Sequence, residues 1–148
     1  MHRALLGVIA GALLLALASA QGDPDPDVCP PDDHEGEEGV VKSPGVNTTY
    51  NTGYPGDHGN NLDCLYHIRV TESPIVSLEL FLSLESNYDY LEIYDGPNTD
   101  SPRLARLSGS LENTYQSTGP VMTLRFTSDV SVSAGGFLGL WAGASSRK

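Results

Sequence analysis

Over most of this chain apolar residues recur at every second position. Tyr66, Ile68 and Val70 alternate with His67 and Arg69. Val76, Leu78, Leu80, Leu82 and Leu84 alternate with Ser77, Glu79, Phe81, Ser83 and Glu85. Met122, Leu124 and Phe126 alternate with Thr123, Arg125 and Thr127, and Phe137 to Trp141 forms a last apolar run. Period two is the signature of a strand with one face buried. Turn-forming groups separate the runs: Ser43-Pro44-Gly45, Tyr54-Pro55-Gly56, Asp95-Gly96-Pro97-Asn98, Ser117-Thr118-Gly119-Pro120 and Gly135-Gly136. No stretch carries the periodicity of a long amphipathic helix, and no internal repeat is visible. Many short strands joined by Gly/Pro turns predict an all-β, antiparallel sandwich.

The pattern breaks down at both ends. His2 and Arg3 precede a nearly continuous apolar run, Ala4 to Leu15, and Ala18-Ser19-Ala20 follows as a small-x-small site. Residues 1–20 therefore read as a secretory signal peptide, with an apolar run shorter than the roughly 20 residues of a spanning helix. No later segment is apolar enough to insert in a membrane. Residues 143–148 read as a polar tail rather than an anchor signal. The expectation is a soluble, secreted, extracellular chain, with length for one domain. Residues 21–38 form an acidic lead-in, which composition predicts to be extended and mobile: a solvated spacer, or alternatively a calcium-attracting tail.

Removing residues 1–20 leaves seven Lys and Arg against nineteen Asp and Glu, a net charge of −12. Such a surface disfavours nucleic acid and anionic membranes and favours cations and basic partners, although acidity also simply aids solubility. Cys29 and Cys64 are the only cysteines. In an oxidising compartment an even pair is most simply one disulfide. His34, His58 and His67 are scattered, unlike zinc ligands, and are expected on exposed loops or strands. Asp57-His58 is half of a catalytic triad, but no serine or cysteine stands in a nucleophile-elbow context. An enzyme is not expected. Asn47-Thr48-Thr49 is a glycosylation acceptor in a polar predicted loop, which marks Asn47 for modification.

From Cys29 to about Trp141 the residues resemble the CUB family. Gly39-Val40-Val41-Lys42-Ser43-Pro44-Gly45 is similar to the family's opening segment. Tyr54-Pro55 followed by Asn60 to Ile68 is similar to its Tyr-Pro…Asn-x-x-x-Cys-x-aromatic-x-Ile stretch. Tyr88 to Gly96 matches its strand-and-turn signature, and Leu107-Ser108-Gly109 stands where Leu-Cys-Gly is usual. Phe126 to Ser131 and Gly135-Gly136-Phe137…Trp141 resemble its closing segments. The resemblance implies a jelly-roll β-sandwich over residues 29–142, with Cys29–Cys64 as the family's first bridge. The second bridge is missing, since Ser108 replaces one partner and Glu85 to Tyr88 offers no cysteine for the other.

The resemblance also implies a calcium site at one end of the sandwich. Carried over by position, its ligands are Tyr54, Glu85, Asp89 and Asp129, with Ser131 contributing a backbone oxygen. Hard carboxylate oxygens from separate loops suit Ca2+. The plainer alternative is that Glu85 and Asp89 are ordinary carboxylates at strand ends. The implied function is extracellular recognition or adhesion through a protein or glycoprotein partner with exposed basic residues. The alternative is an acidic matrix or biomineral-associated protein.

Overall fold

A computed structural model describes residues 25–46, 57–131 and 135–145 of the chain. They form nine strands: β1 (Asp33–Gly36), β2 (Glu38–Lys42), β3 (Asp63–Val70), β4 (Ile75–Ser83), β5 (Tyr90–Tyr94), β6 (Arg103–Leu107), β7 (Ser110–Gln116), β8 (Val121–Thr127) and β9 (Gly136–Ala144). They build a five-stranded sheet in the order β1-β3-β8-β5-β6 and a four-stranded sheet in the order β2-β9-β4-β7. All pairings are antiparallel except β1 with β3, which run parallel. The antiparallel sandwich predicted from the alternation, and the jelly roll that the resemblance implies, are the fold. No helix among the described residues is long and apolar enough to cross a membrane.

The alternating positions fall where period two places them. Val76, Leu78, Leu80 and Leu82 of β4 point inward, as do Tyr66, Ile68 and Val70 of β3 and Met122, Leu124 and Phe126 of β8. All are buried in one core with Leu91, Ile93, Val41, Phe137 and Trp141. Each large side chain withdrawn from water this way contributes about 1.5–3 kcal/mol before entropy is counted. Tyr66, Phe126 and Phe137 meet edge to face, with ring centroids 5.4 and 5.7 Å apart. Gly39 pairs with Trp141 across the β2–β9 ladder, where a Cβ would stand 2.6 Å from the indole, so this position requires glycine.

The acidic lead-in differs from the sequence expectation. Residues 33–38 are not a mobile spacer. Asp33–Gly36 is a strand beside β3, and the chain then crosses at Glu37 into the other sheet as β2. Pairing uses the backbone, so exposed acidic side chains do not oppose it. The Cys29–Cys64 disulfide is formed and ties the segment to the start of β3.

Glu37 also joins two corners of the sandwich. One carboxylate oxygen accepts the N–H groups of Thr71, Glu72 and Ser73, at 2.8, 2.6 and 3.3 Å, and the other accepts the Ser73 hydroxyl. Those residues form the turn from β3 to β4, the third place where the chain changes sheets. These donors hold the Glu37 carboxyl well down, from 4.5 to about 2, with the Ser73 hydroxyl the largest cause. A depressed carboxylate adds stability above its unfolded pKa and loses it as pH falls through the folded one. Glu37→Gln should therefore lower the melting temperature at pH 7. The gap to wild type should narrow below about pH 4.5 and close near pH 2, as melting curves across that range would show.

Candidate cation site

Between β4 and β5 the chain makes a tight turn at Glu85 to Asp89. The Glu85 carbonyl accepts the N–H groups of Tyr88 and Asp89, at 3.3 and 3.1 Å. Asn87 takes the left-handed conformation, φ 67°, which asparagine tolerates better than most residues. Ser108 holds the turn from outside: its hydroxyl donates to Glu85 O at 3.1 Å and accepts from Asn87 N at 2.8 Å. This is the residue that stands where the family resemblance places a cysteine. A pair of hydrogen bonds thus links the segments that a second disulfide would otherwise join.

The turn brings three carboxylates together. One oxygen each from Glu85, Asp89 and Asp129 lies within 4.8 Å of the others. Asp89 is 0 % exposed, and its Oδ1 accepts the Asp129 N–H at 3.1 Å. Asp129 lies two residues past β8, and its carbonyl accepts the Asn61 N–H at 2.7 Å. Next to it, the Ser128 hydroxyl accepts from Leu62 N and donates to Gly59 O, both at 2.9 Å. The β8 exit is thereby clipped to residues 59–62, which lead into β3. Ser131 is in the same loop, and its N–H donates to Asp129 Oδ1 at 3.1 Å. Tyr54 and the acceptor Asn47 lie outside the described residues.

His58 was not anticipated here. Expected on an exposed loop, it is instead 1 % exposed and packs edge to face against Phe126, with centroids 5.0 Å apart. Its Nε2 is 3.0 Å from Asp89 Oδ2, an ion-pair distance, but the contact lacks the angular geometry of a hydrogen bond. Its Nδ1 faces Gly59 O at 2.7 Å. The backbone pins the same segment: His58 N donates to Gly135 O, and Gly135 N to Asp57 Oδ1, both at 3.0 Å. Gly135 has φ +66°, and a Cβ there would stand 1.9 Å from Ser83 O, so only glycine fits that junction.

The electrostatics of this end call for a cation. Glu85 Oε2 and Asp89 Oδ2 are buried and have no hydrogen-bond partner. Desolvation first, and then the charges of Asp129 and Asp89, push the Glu85 carboxyl up, while His58 pulls the other way. Buried carboxylate oxygens without donors are costly unless something positive meets them. A hard divalent cation fits that donor set. By contrast, Arg125 and Arg103 are committed elsewhere, to Asp63 and Glu92 at 2.8 and 2.9 Å on the outer face of the five-stranded sheet. Since Ser108 positions the Glu85 turn, Ser108→Ala should cost about 1–2 kcal/mol, measured by urea unfolding, leaving the far end of the sandwich unchanged.

Comparison with known proteins places this geometry in a family. The profile of the CUB domain matches residues 36–138. Pig cubilin is 41% identical over 93 residues, spanning 60% of this chain and 3% of that relative. Human tumor necrosis factor-inducible gene 6 protein is 38% identical over 104 residues, spanning 66% of this chain and 35% of the relative. The chain thus corresponds to a small part of the curated relatives it matches. Among solved structures, the human MASP-1/3 CUB1-EGF-CUB2 region superposes with TM-score 0.63 at 22% identity, over 78% of this chain and 43% of that one. The MASP-1 CUB2 domain bound to Ca2+ superposes with TM-score 0.62 at 19% identity, over 78% of this chain and all of that one. The two-sheet architecture, the ordered motifs and the profile match over residues 36–138 agree: the chain belongs to the CUB domain family of extracellular protein-interaction modules.

Proposed function

We propose that this protein is a secreted recognition module whose binding surface is the carboxylate end of the sandwich, organised by one Ca2+ ion. The observation that carries the reading is the convergence of Glu85, Asp89 and Asp129 within 4.8 Å, with buried oxygens that no donor satisfies. Calcium takes six to eight hard oxygens. These carboxylates supply several, and backbone carbonyls and water complete the shell. The Ca2+-bound CUB domain among the structural neighbours supports the same reading. The ion cancels repulsion among the three acids and fixes the 85–89 turn against the β8 exit.

What such an end can do is bind. Tyr88 and Val130 sit beside the acidic residues and are 60% and 75% exposed. They give apolar contact around an acidic centre, which suits a protein or glycoprotein partner carrying an exposed basic residue. Catalysis has no such support. Both cysteines are spent in the disulfide, and His58 faces a carboxylate rather than a nucleophile. Secretion is supported by the leader-like residues 1–20 and by the disulfide. A biomineral-associated role would draw on an acidic tail free of the fold. Incorporation of residues 33–38 into both sheets leaves less of one.

Calorimetry should register one calcium site in the wild type, and at 100 times the dissociation constant the melting midpoint should reflect about 2.7 kcal/mol of added stability. Asp129→Ala should keep the sheets and lose both responses. No heat and no melting shift at millimolar calcium would overturn the calcium reading. Capture of an extracellular partner that is indifferent to chelator and to Asp129→Ala would move the binding surface elsewhere.

A further inference from the structure

The open edges of the two sheets are not alike. Among the described residues, β1 and β6 in one sheet and β2 and β7 in the other have a neighbour on one side only. An open edge is a template for another strand, and folded proteins blunt it with short strands, charges or bulges. β1 is four residues long and carries Asp33 and Glu35. β2 has Glu38 at one end and Lys42 at the other. β6 holds Arg103 and Arg106, and its register with β5 shifts at Ile93/Tyr94. β7 is the least defended. It runs for seven residues without proline, lysine or arginine, with Glu112 its one charge, and its register with β4 is unbroken.

The ladder decides which backbone groups of β7 point outward. Just past one end of the strand Ser117 N donates to Val76 O at 3.0 Å, and just before the other Gly109 O accepts from Leu84 N at 2.8 Å. Both ends thus bond to β4 through odd-numbered residues, and an antiparallel ladder without a bulge keeps that alternation. The backbone N–H and C=O groups of Ser110, Glu112 and Thr114 therefore face away from β4. The Thr114 N–H donates instead to its neighbour's side chain, Asn113 Oδ1, at 2.9 Å.

We propose that β7 pairs antiparallel with β7 of a second copy of this chain, across a twofold axis at Asn113, joining the two four-stranded sheets into one. The strand is chemically self-complementary about that centre. Glu112 stands opposite Thr114 of the second copy, and these outward-facing residues exchange N–H···O bonds, a carbonyl of the other copy replacing Asn113 Oδ1. Leu111 stands opposite Tyr115 of the second copy. Both are half-buried and packed against the core, and each covers what the other leaves exposed. An axis moved by one residue, to Glu112, would set that carboxylate against its own copy. A contact of this kind uses the same patch on both copies and closes at two. It involves no residue of the carboxylate cluster. Each chain is net negative, so the copies repel at long range and salt favours the pairing.

Sedimentation equilibrium over a concentration series tests this on the wild type, Thr114→Pro and Asn113→Cys. The wild type should dimerise, more tightly at about 0.5 M than at about 0.05 M salt. Chelator and Asp129→Ala should leave that association unchanged. Thr114→Pro removes an outward N–H that the ladder with β4 does not use. The monomer should therefore fold, with its circular dichroism retained, and the dimer dissociation constant should rise at least about tenfold. In Asn113→Cys the two new thiols face each other across a non-hydrogen-bonded pair with Cα atoms about 4.5 Å apart, and mild oxidation should link the dimer. Thr114→Cys, more than about 7 Å from its own copy, should not cross-link. A wild type that stays monomeric up to about 1 mM, a dimer that Thr114→Pro leaves intact, or an uncross-linked Asn113→Cys overturns the proposal. If Thr114→Pro fails to fold, the cross-link decides. Association that weakens with salt and needs calcium would place the contact at the carboxylate end, overturning this inference and supporting the calcium reading.

Discussion

A carboxylate removed entirely from water must be compensated, and one end of this sandwich is arranged around that requirement at Asp89. Its Oδ1 accepts from the backbone of Asp129, and its Oδ2 lies 3.0 Å from the Nε2 of a buried imidazole without a hydrogen bond between them. To deliver those partners, three distant parts of the chain have to meet. They are the turn at Glu85, the exit of β8 and the segment leading into β3. The Ser128 clip, the left-handed Asn87 and the glycine at position 135 are the local devices that let them meet. The cost of burying one charge thus accounts for much of the irregular backbone at this end.

The same end is connected to the core by ring contacts. His58 packs on Phe126, Phe126 on Phe137, and Phe137 on Tyr66. Closely packed interiors transmit displacement poorly tolerated by neighbours. A change in the position of the His58 ring is therefore felt by β3, β8 and β9 together. A ligand bound at this end, as proposed, would act on the packed core.

How much of this was legible in the residues follows from where each signal comes from. β3, β4 and β8 were plain because a strand buried on one face writes its pleat into the sequence. The edge strands β6 and β7 were not, since half-exposed edges bury too few side chains to show alternation. β1 was hidden by its own acids: Asp33 and Glu35 point outward, and the pairing with β3 is made by backbone that any residue supplies. Glu85, Asp89 and Asp129 were reached through the family resemblance, not through spacing, because 40 residues separate Asp89 from Asp129. His58 was missed because Asp-His-Gly looks like a loop. Its burial is decided by Phe126 and Asp89, which are distant in sequence. The compact turn closes Glu85 and Asp89 together with Asp129, a convergence that the spacing of the residues does not announce.

The Cys29–Cys64 bond has a mechanical meaning. Tension applied upstream of Cys29 does not run through the chain that follows it. It passes across the sulfur bridge into β3, which lies between β1 and β8 inside the five-stranded sheet. Residues 30–63, with both β1 and β2, are shielded from that load. At the other end, tension enters through β9, which lies between β2 and β4 in the opposite sheet. A pull on the two ends therefore loads interior strands of both sheets. Neither edge can be unzipped one hydrogen bond at a time, and the leucine-rich layer between the sheets has to shear before the module extends.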